Sequence, residues 1–312
     1  MDDAVVRTKK LVKRFGRDIA VYNLTFDVPR GTIFGFVGPS GCGKTTTIRL
    51  LTGFYRPTSG SALVLGQEST TFRATERGRI GYMPQQFVLY PNLTVWENLN
   101  FAGSIYGVDL RREDQLRQLL DLVELTDHRS KLTRNLSGGM QRRLSLAATL
   151  VHDPELIFLD EPTAGVDPLL RHKFWEYFRY LREQETTLFV TTQYVAEAAY
   201  CDIVGLLVNG QLLALGTPEA LRRRAFGGDT LDLRTARRLD SRILERMRRF
   251  PFVSEVTRTG EDHLRVVVTE ASTALPTLVE WCEEQGVGVK AVQEYLPPFD
   301  DVFVQLVEKE AR

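Results

Sequence analysis

The sequence predicts an α/β protein with a β-rich N-terminal part and an inserted helical subdomain, followed by a small α+β module. Three observations predict it. A strand-rich stretch from about 5 to 37 runs into a glycine-rich loop and a helix-forming segment. Apolar strand signals recur after a long helical interval, and a Gly227-Gly228 pair then precedes a second alternation of short strands and helices.

The first part opens with apolar alternations punctuated by turn signals at Phe15-Gly16 and Pro29-Arg30-Gly31. Residues 33–37 lead directly into the glycine-rich loop, the strand, loop and helix order of a phosphate-binding unit. Between about 93 and 151 the pattern is mainly helical, with Leu116, Leu119, Leu120 and Val123 at helical spacing, so a helical subdomain is expected over about 87–151. Strand signals return at 156–159, 187–191 and 203–208. Strands alternating with helices imply a largely parallel sheet. After Pro218 a helix reaches roughly Ala225, which sets the expected domains at 1–225 and 226–312. The second domain reads as strand 230–233, helix 236–250, strands 253–258 and 263–269, helix 274–284 and strand 289–295. That order, βαββαβ, is the order of a ferredoxin-like module.

Composition narrows the function classes. Of 312 residues, 43% are hydrophobic and 26% charged, the balance of an ordinary globular protein. Lys plus Arg and Asp plus Glu both count 40, so no overall field favours nucleic acid or an anionic membrane, and no nucleic-acid partner is expected. Basic clusters at Arg222, Arg223 and Arg224 and at Arg246, Arg248 and Arg249 fall in amphipathic helical stretches and read as solvated faces. Cys42, Cys201 and Cys282 are widely spaced and form no CxxC pair, which argues against a disulfide framework or a zinc site and for a reducing, cytoplasmic compartment. The Met-Asp-Asp-Ala start lacks the features of a signal peptide, and no apolar run approaches the roughly 18 residues of a membrane span. Work at a membrane would need spans from another chain.

Three segments carry chemistry. Gly38-Pro39-Ser40-Gly41-Cys42-Gly43-Lys44-Thr45-Thr46 has the two glycines, lysine and hydroxyl of a phosphate loop at the required spacing. Its glycines let backbone N–H groups curl around phosphate oxygens, and the helix it opens turns a positive dipole end toward the anion. Lys44 should reach the β- and γ-phosphates and the Thr45 hydroxyl should ligate Mg²⁺. A second segment, Leu156-Ile157-Phe158-Leu159-Asp160-Glu161, is an apolar strand ending in two carboxylates. Asp160 suits magnesium coordination, and Glu161 can orient or deprotonate an attacking water. The third is Leu136-Ser137-Gly138-Gly139-Met140 ahead of a helical pattern. Ser137 is a good N-cap, but two glycines in a first helical turn each cost roughly 1 kcal/mol against alanine. Close approach of a phosphate would justify that cost.

In order and separation these segments resemble an ATP-binding cassette (ABC) ATPase over about residues 4–225. The resemblance implies ATP and Mg²⁺ as ligands, with Gly38, Ser40, Gly41, Gly43, Lys44, Thr45 and Thr46 cradling the phosphates. It further implies that Phe15 stacks on adenine and that Gln85, in Tyr82-Met83-Pro84-Gln85, reaches magnesium and water. Asp167, in Ala164-Gly165-Val166-Asp167-Pro168, resembles the loop aspartate that crosses between subunits. In the family two cassettes, identical or different, pack head to tail, so that Ser137, Gly138 and Gly139 of one cover the nucleotide held by the other. A separate multi-span membrane subunit would dock near Gln85 and 87–95, placing this chain on the cytoplasmic face of the membrane.

Two positions depart from the family pattern. Gln193 stands where a histidine usually contacts the γ-phosphate; it can donate a hydrogen bond but cannot carry a positive charge or relay a proton. Met140 stands where glutamine is most common. Export is the expected function, because Gly66, Tyr82-Met83-Pro84-Gln85, Ala198-Ala199-Tyr200-Cys201-Asp202 and the tail Leu296-Pro297-Pro298-Phe299-Asp300-Asp301-Val302-Phe303 resemble ATPases of the drug and antibiotic resistance type. The alternative is a soluble ABC-type ATPase with a non-transport role. The coiled-coil or zinc insertions of the DNA-repair relatives and the second cassette of the translation-factor relatives are missing from this sequence.

Overall fold

The structure, a computed structural model, describes residues 4–86, 88–107 and 113–310. The chain forms two compact units, Met1–Leu215 and Gly216–Arg312.

In the first unit, β1 (Ala4–Phe15) and β2 (Asp18–Pro29) pair antiparallel and are followed by β3 (Ile33–Val37) and α1 (Lys44–Leu51). Next come β4 (Ser59–Val64), β5 (Gln67–Glu68), α2 (Ala74–Arg77) and β6 (Ile80–Met83). The helical insert contributes α3 (Val95–Ile105), α4 (Glu113–Leu122) and α5 (Gly138–Leu150). Then follow β7 (Leu156–Asp160), α6 (Pro168–Glu183), β8 (Thr187–Thr192), β9 (Ile203–Val208) and β10 (Gln211–Gly216).

These strands build an antiparallel sheet in the order β2-β1-β4-β5 and a six-stranded sheet in the order β10-β9-β3-β8-β7-β6. The run from β9 to β6 is parallel, as the alternation of strands and helices predicts. Every residue of β3, β7 and β8 is buried, which is why these strands read as continuous apolar runs rather than alternations. Phe26 of β2 stacks on Phe34 of β3 at 5.3 Å, and Phe34 stacks on Phe189 of β8 at 5.2 Å. This aromatic cluster joins the two sheets.

The insert is organised by polar as well as apolar groups. Thr94 and Glu97 cap α3 reciprocally, and the buried Asn98 amide donates to Tyr90 O, Thr94 O and Thr133 Oγ1. Leu116, Leu119 and Leu120 form the buried face of α4, and Val123 is buried just beyond it. Residue 87, the expected start of the subdomain, lies outside the described residues. The strand β10 was not foreseen, although Asn209 and Gly210, both with positive φ, are a hairpin-turn signal.

The second unit comprises α7 (Pro218–Phe226), β11 (Asp229–Thr235), α8 (Ser241–Met247), β12 (Val253–Arg258), β13 (His263–Val268), α9 (Ala271–Glu284), β14 (Val289–Tyr295) and α10 (Phe299–Glu310). Its antiparallel sheet runs β12-β13-β11-β14, with the βαββαβ element order read from the sequence. Three details differ. The boundary falls at 215/216 rather than 225/226, because α7 packs within the second unit. There Arg222 Nε donates to Pro297 O, and its guanidinium lies 4.5 Å from the Phe299 ring centre. The helix expected over 236–250 shortens to α8, because Asp240 caps it by accepting from Ile243 N. The tail expected only as a family feature is the helix α10, with Phe299, Val302 and Leu306 on its buried face.

The three cysteines are free and buried. Among the described residues no helix is long and apolar enough to cross a membrane.

Candidate active site

The phosphate loop leaves β3 with Gly38 N donating to Thr192 O, which ties it to the end of β8. Glycine is required at two of its positions. A Cβ on Gly38 would lie 2.2 Å from Leu207 O, and one on Gly43 would lie 2.4 Å from Ala20 O, with φ at 107° besides. Helix α1 therefore begins at Lys44 with no side-chain cap and no acidic residue in its first turn. The N–H groups and positive dipole end of that turn are available to an anion.

Lys44 folds back over the loop. Its Nζ donates to Gly38 O (2.8 Å) and Pro39 O (3.0 Å) and lies 3.3 Å from Glu161 Oε1. Both charged side chains are nearly out of solvent, at 4% and 8% exposure, so separating them would leave each with a weaker counter-charge in a medium of low dielectric. Thr45 Oγ1 donates to Asp160 Oδ1 at 3.2 Å, and Thr191 Oγ1 donates to the same oxygen at 2.6 Å. The other oxygen, Asp160 Oδ2, is buried without a partner. Burial pushes the Asp160 carboxyl above its ordinary value, even though the Thr191 and Thr45 hydroxyls pull the other way. A buried carboxylate with one oxygen bare, next to a threonine hydroxyl, is a donor set suited to a hard divalent cation such as Mg²⁺.

Glu161 follows β7 with φ at 52°, and its N–H donates to Thr191 O and Thr191 Oγ1. This turn aims its side chain back at Lys44 and at Gln85, whose Nε2 donates to Glu161 Oε2 at 3.1 Å. Gln85 O in turn accepts from Arg142 Nη1 at 2.8 Å, so α5 of the helical insert holds the backbone of Gln85. Burial lowers the Arg142 guanidinium pKa, while the Glu161 and Asp160 charges act to raise it. Sequence reasoning did not find Arg142. It lies one helical turn past Gly138, and no local pattern marks a contact across 57 residues.

The remaining candidates stand apart from this cluster. Ser137 caps α5 by accepting from Met140 N at 3.3 Å, and Gly138 and Gly139 follow without positive φ. A Cβ at either glycine would meet nothing within 4 Å, so this chain by itself gives no steric reason for them. Asp167 is exposed and caps α6 by accepting from Leu170 N at 3.0 Å, a local role that the sequence reading omitted. Gln193 is exposed just past β8, two residues after the Thr191 that touches Asp160. Phe15 is 43% exposed, with Tyr55 at its edge (5.3 Å) and Lys13 Nζ 5.1 Å from its ring centre, which leaves ring surface for a stacking partner. Ser40 and Gly41 are exposed at the loop tip, and Thr46 is half-buried. Among the described residues no hydrogen bond or ion pair joins Phe15, Ser137, Asp167 or Gln193 to Lys44, Thr45, Asp160 or Glu161.

The chain is similar to known ABC proteins. A family model described as ABC transporter matches residues 21–164. The chain is 41% identical over 231 residues to a "Probable multidrug ABC transporter ATP-binding protein" of Escherichia coli (strain K12), covering 74% of this chain but only 40% of that one. It is 34% identical to a daunorubicin resistance ATP-binding protein of Streptomyces coeruleorubidus, over 100% of this chain and 98% of that one. It is 31% identical to the linearmycin resistance ATP-binding protein of Bacillus subtilis (strain 168), over 99% and 100%. Among solved structures, an ATP-binding subunit of an ABC transporter aligns with a TM-score of 0.66 at 30% identity, over 72% of this chain and 93% of that one. A dimeric ATP-binding cassette in a post-hydrolysis state bound to ADP and Pi aligns with a TM-score of 0.63 at 25% identity, over 68% and 98%.

Proposed function

The chain belongs to the ABC transporter family, and from that premise we propose that it is the ATP-hydrolysing subunit of an ABC exporter. The observation that carries the proposal is the convergence of Lys44, Thr45, Gln85, Asp160 and Glu161 at the ends of adjacent strands, beside an uncapped helix start.

ATP phosphates bind in the loop from Gly38 to Thr46, and Phe15 stacks on the adenine. Lys44 exchanges its contact with Glu161 for the β- and γ-phosphates, which frees the carboxylate it neutralises at rest. Thr45, Asp160 and Gln85 would hold Mg²⁺, whose chemistry here is neutralisation of the phosphate oxygens. Glu161, oriented by the Gln85 amide, accepts a proton from the attacking water. Ser137, Gly138, Gly139 and Asp167 act on the nucleotide of a second cassette, and their separation from the cluster around Lys44 supports that division. Gln193 donates a neutral hydrogen bond to the γ-phosphate.

Export rests on the relatives named for drug and antibiotic resistance, two of which match nearly the whole length of this chain. The membrane subunit is a separate multi-span protein, docked where Val88 and Tyr90 are exposed beside the insert. The segment expected for that contact, 87–95, begins at a residue outside the described ones. The second unit serves as a packing module that stabilises the dimer rather than as a cargo sensor.

The test is affinity purification of the tagged chain from detergent-solubilised membranes of its native host, followed by mass spectrometry. A stoichiometric multi-span protein is the expected companion. Only soluble partners, ribosomes or nucleic acid would contradict export and leave an ABC ATPase with a non-transport role.

A further inference from the structure

One side chain outside the reacting cluster touches both loops that flank it. Arg171, in the first turns of α6, donates from Nη2 to Val166 O at 3.4 Å, on the residue before Asp167. Its guanidinium carbon lies 4.4 Å from the ring centre of Tyr194, the residue after Gln193. Its Nε lies 3.6 Å from Glu197 Oε1. Glu197 is 2% exposed and neither of its carboxylate oxygens accepts a hydrogen bond, so among the described residues Arg171 is its counter-charge.

Hydrogen bonds tie each side to its loop. Arg171 N donates to Asp167 O at 2.9 Å, which fixes the start of α6 to the Asp167 loop. Glu197 N donates to Tyr194 O, and Tyr194 N donates to Thr192 Oγ1, both at 3.0 Å, which fixes the turn leaving β8. A buried carboxylate holds its cation because separation would leave the charge unpaired in a medium of low dielectric. The guanidinium is therefore anchored at Glu197, while its Nη2 bears on Val166 O and its face on Tyr194.

We propose that Arg171, anchored by Glu197, is a positioning residue that couples the Asp167 loop to the Gln193 segment, so that displacement of one loop by a second subunit shifts the other. The assignment of those loops to the subunit interface and the γ-phosphate rests on the proposed ABC reading. The coupling itself is a property of this chain alone.

The test compares the full-length wild type with Arg171→Lys, Tyr194→Ala and Tyr194→Phe by amide hydrogen exchange without nucleotide and by steady-state MgATP hydrolysis. Arg171→Lys keeps a cation opposite Glu197, so the protein folds, but it lacks the fork and the flat face. Exchange should rise together in peptides covering 163–167 and 193–197, by on the order of tenfold, in Arg171→Lys and Tyr194→Ala. Turnover in both should fall about 10- to 100-fold, as misplacement of reacting groups does, with KM within about twofold. Tyr194→Phe keeps the ring and should match the wild type. Faster exchange in only one loop, or unchanged kcat with both loops loosened, would overturn the proposal. A wild type without ATPase activity would refute the functional reading instead, and the exchange data would then decide the coupling by themselves.

Discussion

Gly139→Ala should make the isolated chain more stable and its catalysis worse. The backbone at Gly139 has no positive φ, and a Cβ there would meet nothing within 4 Å. Alanine at such a site stabilises by about 0.4–1 kcal/mol, chiefly by restricting the unfolded chain. For a unit of this size that is a rise in melting temperature of roughly 1–4 °C. In a head-to-tail dimer the same methyl would lie between the helix start and the phosphate of the opposing subunit. Overpacking a close contact costs about 1–3 kcal/mol, or roughly a 5- to 150-fold loss in hydrolysis at subsaturating ATP. Differential scanning calorimetry without nucleotide and ATPase assays on the same preparation measure both effects. A stabilised variant with full activity would refute close phosphate approach at Gly139. A destabilised one would refute the steric account of this chain.

Other substitutions probe separate parts of the account. Lys44→Ala removes the cation nearest the buried Glu161 carboxylate, so it should abolish ATP binding and cost about 3–5 kcal/mol in urea unfolding; adding Glu161→Gln should recover part of that loss. Gln193→His should raise turnover at pH 7.5 and introduce an inflection near pH 6.5, about the imidazole pKa; equal or higher turnover in the parent contradicts this. Glu155, held below its ordinary value of 4.5 chiefly by its hydrogen bonds to Arg79, contributes stability that is fully present above that value and is lost as pH falls through its lowered folded pKa. Because the pair is about half exposed, the difference between wild type and Glu155→Gln in urea midpoint should correspond to about 1 kcal/mol or less at pH 7 and should shrink as the solution is acidified.

The parts of this protein that the sequence made legible are those whose chemistry is local. Gly38 and Gly43 are dictated by backbone approaches of 2.2 and 2.4 Å, Ser137 by a cap three residues long, and β7 by burial on both faces ending at Asp160. Gln85 and Asp167 were reached through family resemblance. The structure adds the contact of Gln85 with Glu161 and the capping of α6 by Asp167. What stayed hidden is long-range or set by a competing local signal. The bond from Arg142 to Gln85 spans 57 residues, and the Arg171–Glu197 pair joins two elements that no spacing rule connects. Asp240 stops the pattern over 236–250 from forming one helix. The place of α7 in the second unit depends on Arg222 meeting Pro297 and Phe299 from the far end of that unit.

The most direct measurement is the solution mass of Glu161→Gln by light scattering, with and without MgATP. The substitution keeps the shape of the side chain that meets Lys44 and Gln85 but removes the proton acceptor, so hydrolysis should fall by about 10²- to 10⁴-fold while the sandwich still forms. A monomer that becomes a dimer only with MgATP, with added Gly139→Ala weakening the dimer, is the result this account predicts. A chain that binds MgATP and remains monomeric, or that hydrolyses it at the wild-type rate without Glu161, would contradict it.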